Sequence, residues 1–220
     1  MDKDTGLTDA RSKLVLAALH VFAEKGFEGA TTREICEQAN ANISAIRYYF
    51  GDKAGLYRAA FTEPMGDKSC HFSIEVYANL PLQEALVLFF NEFLEPLSKG
   101  EELRLVMKLH FREMLEPTGV WLQEIDAEIK PQHAAMVGML KQHLGLIRID
   151  NELHRLAFAI IGMGVHFYVG YDVVKAITPQ IVETPKALEA LANSLAAYSV
   201  AMIEAEAKRR TPGGCHGTIE

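Results

Sequence analysis

The sequence predicts an all-α protein, a three-helix N-terminal domain followed by a larger helical domain, and three observations carry that prediction. Apolar residues recur at intervals of three, four and seven along most of the chain, the period of a helix with one buried face. Gly, Pro and Asn interrupt that period where helices are expected to stop. Strand-like alternation is missing apart from the brief run Leu146 to Ile149. With 220 residues, 49% of them hydrophobic and 23% charged, the chain can bury a sizeable core, which excludes a disordered protein.

The first helix is expected over Thr8 to Lys25, with Leu14, Ala17, Ala18, Val21 and Phe22 inward and Gly26 closing it. After Phe27 and the turn Glu28-Gly29-Ala30, Thr31 and Glu34 form a capping box. The Thr31 hydroxyl takes a backbone N–H, and the carboxylate returns to the cap. The helix starting near Thr32 buries Ile35, Cys36 and Ala39. Asn40 then supplies a left-handed stop, and Asn42 caps the next helix. In that second short helix Ile43, Ile46 and Phe50 share one stripe, while Ser44, Ala45, Arg47, Tyr48 and Tyr49 spread over the rest. Gly51-Asp52 ends it and Lys53 opens a helix that turns Leu56, Ala59, Ala60 and Phe61 inward. Pro64 and Gly66 break that helix, so the boundary is expected between residues 1–62 and 63–210.

In the larger domain Ala85, Leu86, Phe89, Phe90, Phe93 and Leu94 form the inward stripe of Leu82 to Lys99. Leu103, Val106, Met107, His110, Phe111 and Met114 form that of Glu101 to Leu115. Glu116-Pro117-Thr118-Gly119 is a break, Trp121 to Ile129 a short helix, and Pro131 suits the first turn of a helix ending at Gly145. Leu156 to Tyr171 is nearly all apolar over 16 residues, fewer than the roughly 20 that span a bilayer. With His166 inside it and charges close on both sides, it is expected to be a helix buried on all faces at a subunit interface, not a membrane span. The last helix, Thr184 or Pro185 to Arg209, carries the small stripe Ala187, Ala190 or Leu191, Ser194, Ala197, Ala201 and Ala205. Together with Gly162 and Gly164 this stripe suits either a dimer interface or close packing within one chain. The Pro-Gly-Gly tail, 211–220, is expected to be flexible.

The net charge of −7 argues against a nucleic-acid partner for the chain as a whole. The segment Ala39 to Arg58, however, sets Arg47, Lys53 and Arg58 against Asp52 alone, a local +2. Its two short helices read as a helix-turn-helix. Small side chains let the second helix approach base edges, Arg47 offers a fork to guanine, and tyrosine hydroxyls reach phosphates without adding charge.

Thr31-Thr32-Arg33-Glu34-Ile35, a helix break, and Ile46-Arg47-Tyr48-Tyr49-Phe50-Gly51-Asp52-Lys53 together resemble the DNA-binding domain of the TetR family of repressors. Asn40 stands where the family usually has Gly, and Arg47 where it often has Tyr, a change expected to alter which bases are read. The resemblance implies a homodimer on palindromic double-stranded operator DNA, with a small-molecule effector bound in the larger, dimerisation domain. It also implies that Thr32, Tyr48, Tyr49 and Lys53 hold phosphates; the fork-shaped donors of Arg33 and Arg47 are expected to read bases, with Asn42, Ile43, Ser44 and Ala45 completing the DNA face. Phe111-Arg112-Glu113-Met114, Pro117-Thr118 and Ile129-Lys130-Pro131 resemble the ligand domain of the CecR subgroup.

Phe89, Phe93, Met107, His110, Phe111, Met114, Trp121, His166 and Phe167 could line an apolar effector pocket, with His110 and His166 as its polar groups, or serve as ordinary core. The pocket is expected near His110, Phe111 and Met114, on the inward face of their helix. His110, His133, His143, His154 and His166 show no HxxxH pair, so no metal site is expected. Without a GxSxG, an HExxH or a Gly-rich phosphate loop, no catalytic residue or cofactor is expected either. Glu113, Glu116, Glu124, Asp126 and Glu128 read as solvated faces. Cys36, Cys70 and Cys215 lack CxxC spacing, and the charged N-terminus lacks the apolar core of a signal peptide. Both fit a cytoplasmic protein, in which Cys36 is an inert buried thiol. The chain therefore reads as a ligand-responsive transcriptional regulator, a repressor. The rival is a helical small-molecule carrier or enzyme, which salt-dependent DNA binding would exclude.

Overall fold

The computed structural model describes residues 4–64, 77, 80–119, 125 and 129–211, with side chains from Ala10 onward. Gly66, Cys70, Trp121, Cys215, most of the helix expected over residues 121–129 and the tail beyond Thr211 lie outside the described residues. Among those described, all regular structure is helical: α1 (Asp4–Gly29), α2 (Thr32–Ala39), α3 (Ile43–Phe50), α4 (Lys53–Thr62), α5 (Leu82–Leu94), α6 (Glu101–Leu115), α7 (Lys130–His143), α8 (Asn151–Val169), α9 (Tyr171–Ile177) and α10 (Pro185–Arg210).

The chain divides into two compact units, Met1–Ser69 with Lys99–Ile125, and Cys70–Ser98 with Asp126–Glu220. The first is built on α1, whose Leu14, Ala17, Ala18, Val21 and Phe22 are buried as their spacing predicts. They meet Ile35, Cys36 and Ala39 of α2, Ile46 of α3, and Leu56, Tyr57, Ala60 and Phe61 of α4. Gly26 has φ +71°, a conformation L residues rarely adopt, and kinks the end of α1 where the sequence expects a stop. Helix α6, expected in the larger domain, packs instead on α1 and α4, and its Val106 and Leu109 belong to this core. The fully inward stripe of α6 is Val106, Leu109 and Glu113; of the expected stripe Val106 is buried, Leu103, Met107, His110 and Phe111 are half-buried, and Met114 faces outward. Met114 is 51% exposed, whereas Glu113 is fully buried. The apolar ranking of side chains assigns Glu113 to solvent, but partners across the core satisfy its carboxylate.

The second unit packs α5 against α10, with α7 and α8 around them. Ala85, Leu86, Phe89, Phe90, Leu94, Met136, Leu140, Leu153, Ile160, Ala192, Leu195 and Ile203 fill its core. Gly164 lets α8 approach α5 closely, since a Cβ there would stand 2.8 Å from the Phe93 ring. The apolar helix expected to be buried on all faces at a subunit interface is covered by its own chain on one side only. Phe158 is 63% exposed and Val169 56%, because only one face of α8 meets α5, α7 and α10. No single described helix is long and apolar enough to cross a membrane; α8 and α9 together reach that length but are bent by 74°. His133 and His154, distant in sequence, bring Nε2 and Nδ1 to 2.9 Å.

Candidate nucleic-acid interface

Local chemistry fixes α2 and α3 at their ends. The Thr31 hydroxyl accepts the Glu34 N–H at 3.2 Å, one half of the expected capping box. The other half is absent, because the Glu34 carboxylate pairs with Lys25 instead. Asn40 adopts φ 50°, ψ 45°, the left-handed stop, and the Ala41 N–H returns to the Cys36 carbonyl at 2.9 Å to close the turn. Asn42 Oδ1 then accepts both the N–H and the hydroxyl of Ser44 at 2.9 Å, and Asp52 Oδ1 accepts the Gly55 N–H at 2.7 Å at the start of α4.

Ile46 faces the core, while Asn42, Ser44, Arg47 and Tyr48 are exposed, Tyr48 by 76%. Ile43, expected in the buried stripe, is 57% exposed. It is the first residue of α3, a turn ahead of Ile46, where the helix has not yet met the core. Thr32, Ala45, Tyr49 and Lys53 are half-buried. Arg33 projects into solvent and pairs with Glu37 at 2.9 Å, whereas Arg47 pairs with no carboxylate among the described residues. Tyr48 and Tyr49 meet edge-to-face at 4.9 Å, and Lys53 Nζ stands 4.5 Å over the Phe27 ring. A groove beside this face, lined in part by Lys13 and His20 of α1 and by Asn40, Asn42 and Tyr49, was not legible from local spacing because it joins distant segments. Cys36 is buried as expected, and burial pushes its thiol pKa up, away from the reactive thiolate.

The residues read as effector-lining divide between the two units. Met107, His110, Phe111 and Met114 lie on α6 in the first, and Phe89, Phe93, His166 and Phe167 on α5 and α8 in the second. His110 stacks on Phe61 at 3.8 Å, with Nδ1 2.8 Å from the Val106 carbonyl. Burial pushes its pKa down to about 4, opposed by that carbonyl and the Glu113 charge. Phe89 is buried, Phe93 and Phe167 half-buried, and His166 exposed on α8.

Residues 14–60 match the bacterial regulatory proteins of the tetR family, and residues 82–205 match the C-terminal domain of the HTH-type transcriptional dual regulator CecR. The chain belongs to the TetR family. Across 187 residues it is 27% identical to the HTH-type transcriptional dual regulator CecR of Shigella flexneri, covering 75% of this chain and 78% of that one. Its fold matches a transcriptional regulator from Pseudomonas aeruginosa PAO1 with TM-score 0.63 and 19% identity, over 91% of this chain and 92% of the other. It also matches Bacillus subtilis FadR, solved in complex with stearoyl-CoA, with TM-score 0.62 and 21% identity, over 87% and 98% of the two chains. The TetR-family chain is thus a helix-turn-helix, DNA-binding transcription regulator with a CecR-type C-terminal domain.

Within this TetR-family head, sequence reasoning missed Tyr57 and Glu113. The Tyr57 hydroxyl donates to Glu113 Oε2 at 2.6 Å, and burial followed by the Glu113 contact raises the phenol's pKa far above its ordinary value. The signal that could have found Glu113 is its place among Val106 and Leu109, at spacings of seven and four, on the buried side of α6.

Proposed function

We propose that this TetR-family protein is a homodimeric repressor that holds a palindromic operator and releases it when a small molecule binds its larger domain. The observation that carries the reading is the outward face of α3, where Asn42, Ile43, Ser44, Arg47 and Tyr48 stand exposed on a helix capped at its start and stopped at its end. In this reading Arg47 and Arg33 contact base edges and Asn42, Ile43, Ser44 and Ala45 approach the groove. Thr32, Tyr48, Tyr49 and Lys53 hold phosphates.

Dimerisation is supported by an apolar, small-residue surface. Ala190, Ala197, Ala201 and Ala205 of α10 are exposed, as are Gly162 and Phe158 of α8, and a second copy of the chain would cover them. Two heads related by a twofold axis require half-sites related the same way. For the effector, Phe93 and Phe167 pack half-buried on the core of the second unit, suited to an apolar or amphiphilic ligand, the class to which the stearoyl-CoA of the FadR relative belongs. Such a ligand weakens DNA binding by its differential affinity for the released state. A cytoplasmic location follows from the same reading.

Titrating operator duplex at increasing salt tests it. Affinity should fall steeply and linearly in log-log form as phosphate contacts release counterions, whereas a carrier or enzyme with an incidental helix-turn-helix should show no binding at any salt.

A further inference from the structure

We propose that Glu113 is a positioning residue for DNA binding: through Tyr57 and Phe27 it sets where Lys53 stands, so the chain at Glu113 and Thr118 controls the grip on the phosphate backbone. The inference rests on the reading of Lys53 as a phosphate contact.

A carboxylate out of water is costly unless its oxygens are filled, and those of Glu113 are. It is fully buried and accepts the Tyr57 hydroxyl at 2.6 Å, the Thr118 N–H at 2.6 Å and the Thr118 hydroxyl at 2.7 Å. Bonds of this length to an ionised acceptor are strong and directional, so they fix the Tyr57 ring as well as its hydroxyl. That ring meets Phe27 edge-on at 5.2 Å with an interplanar angle of 76°, and the Phe27 ring carries the Lys53 ammonium at 4.5 Å. Lys53 and Tyr57 are one turn apart on α4, so the path closes on itself: carboxylate, phenol, phenyl ring, ammonium and the helix that bears both ends.

Arg112 packs on the kink that precedes Phe27. Its guanidinium donates to the Glu24 carbonyl at 3.1 Å and lies so close to Gly26 that a Cβ there would stand 2.6 Å from Arg112 Nε. Consecutive residues of α6 therefore bond to Tyr57, which packs on Phe27, and to the backbone just before Phe27. Thr118 is the exposed member of the set, and it follows α6 in the chain. Any displacement there withdraws two of the donors that satisfy Glu113, and the remaining bond to Tyr57 must readjust.

The test is a double-mutant cycle on operator binding by the full-length protein, read as affinity and as the slope of affinity against salt. Tyr57→Phe keeps the ring and removes only the hydroxyl. It should weaken operator binding roughly tenfold and shift the salt slope toward that of Lys53→Ala, yet cost nothing further in a Lys53→Ala background. Glu113→Gln should behave likewise. If Tyr57→Phe weakens binding equally in both backgrounds with an unchanged slope, or does not weaken it, the proposal is overturned while the phosphate-contact reading stands. If Lys53→Ala binds as wild type does, that reading falls and takes the proposal with it. Should Tyr57→Phe fail to fold, Thr118→Val, at an exposed position, carries the same comparison.

Discussion

At the scale of single residues, exposure and pairing separate two side chains that composition treats alike. Arg33 is tied to Glu37 on its own helix, while Arg47 has no carboxylate partner among the described residues and stands on the outward face of α3. Arg47→Ala should relax base preference at one position of each half-site at a cost of about 1–3 kcal/mol, whereas Lys53→Ala should weaken all sequences alike. Competition binding on a panel of singly substituted duplexes distinguishes these outcomes. A second prediction concerns His110. Its folded-state pKa of about 4 lies below the ordinary 6.5, so the unfolded chain takes up a proton that the folded chain refuses. Its contribution to stability is complete above pH 6.5 and is lost as pH falls from there toward 4. His133 acts in the same direction, its pKa lowered by burial and then by His154. Melting curves across this window should show a decline that is shallower in His110→Phe; equal slopes in the two proteins would refute the assignment.

At the scale of elements, what could be read from sequence was local. Asn40 in the left-handed region and Asn42 as cap follow from short-range hydrogen bonding, and the inward faces of α1, α2, α4 and α5 follow from apolar spacing. Asn42→Ala should therefore cost about 1 kcal/mol in stability and weaken DNA binding by fraying the start of α3. Long-range partners were not legible. Nothing in its own spacing says that α6 packs on α1 and α4, or that Glu113 will find Tyr57 across that core. For the same reason Met114 and Ile43 face outward where their hydrophobicity alone would turn them in. The apolarity of α8 likewise marks a helix with two apolar faces without saying which one a neighbour within the chain covers. The small outward stripe of α10 was legible, and it makes a prediction of its own. Ala201→Arg, placing a long cation at an exposed alanine, should leave the monomer folded but shift sedimentation from dimer to monomer. A dimer unchanged by that substitution would move the interface elsewhere.

For the whole molecule, the proposed function requires a head that reads DNA and a larger unit that pairs two chains and receives a ligand. In the proposed reading, an acidic protein of net charge −7 would hold a polyanion through a local +2 segment, which a twofold assembly would present twice. The central claim is this twofold reading of DNA. It is tested most directly by selecting bound duplexes from a random pool with the full-length protein and sequencing them. The account predicts an inverted repeat whose half-site centres are separated by about one helical turn or a multiple of it, and a footprint covered by an even number of chains. A consensus without dyad symmetry, bound by a single chain, would contradict it.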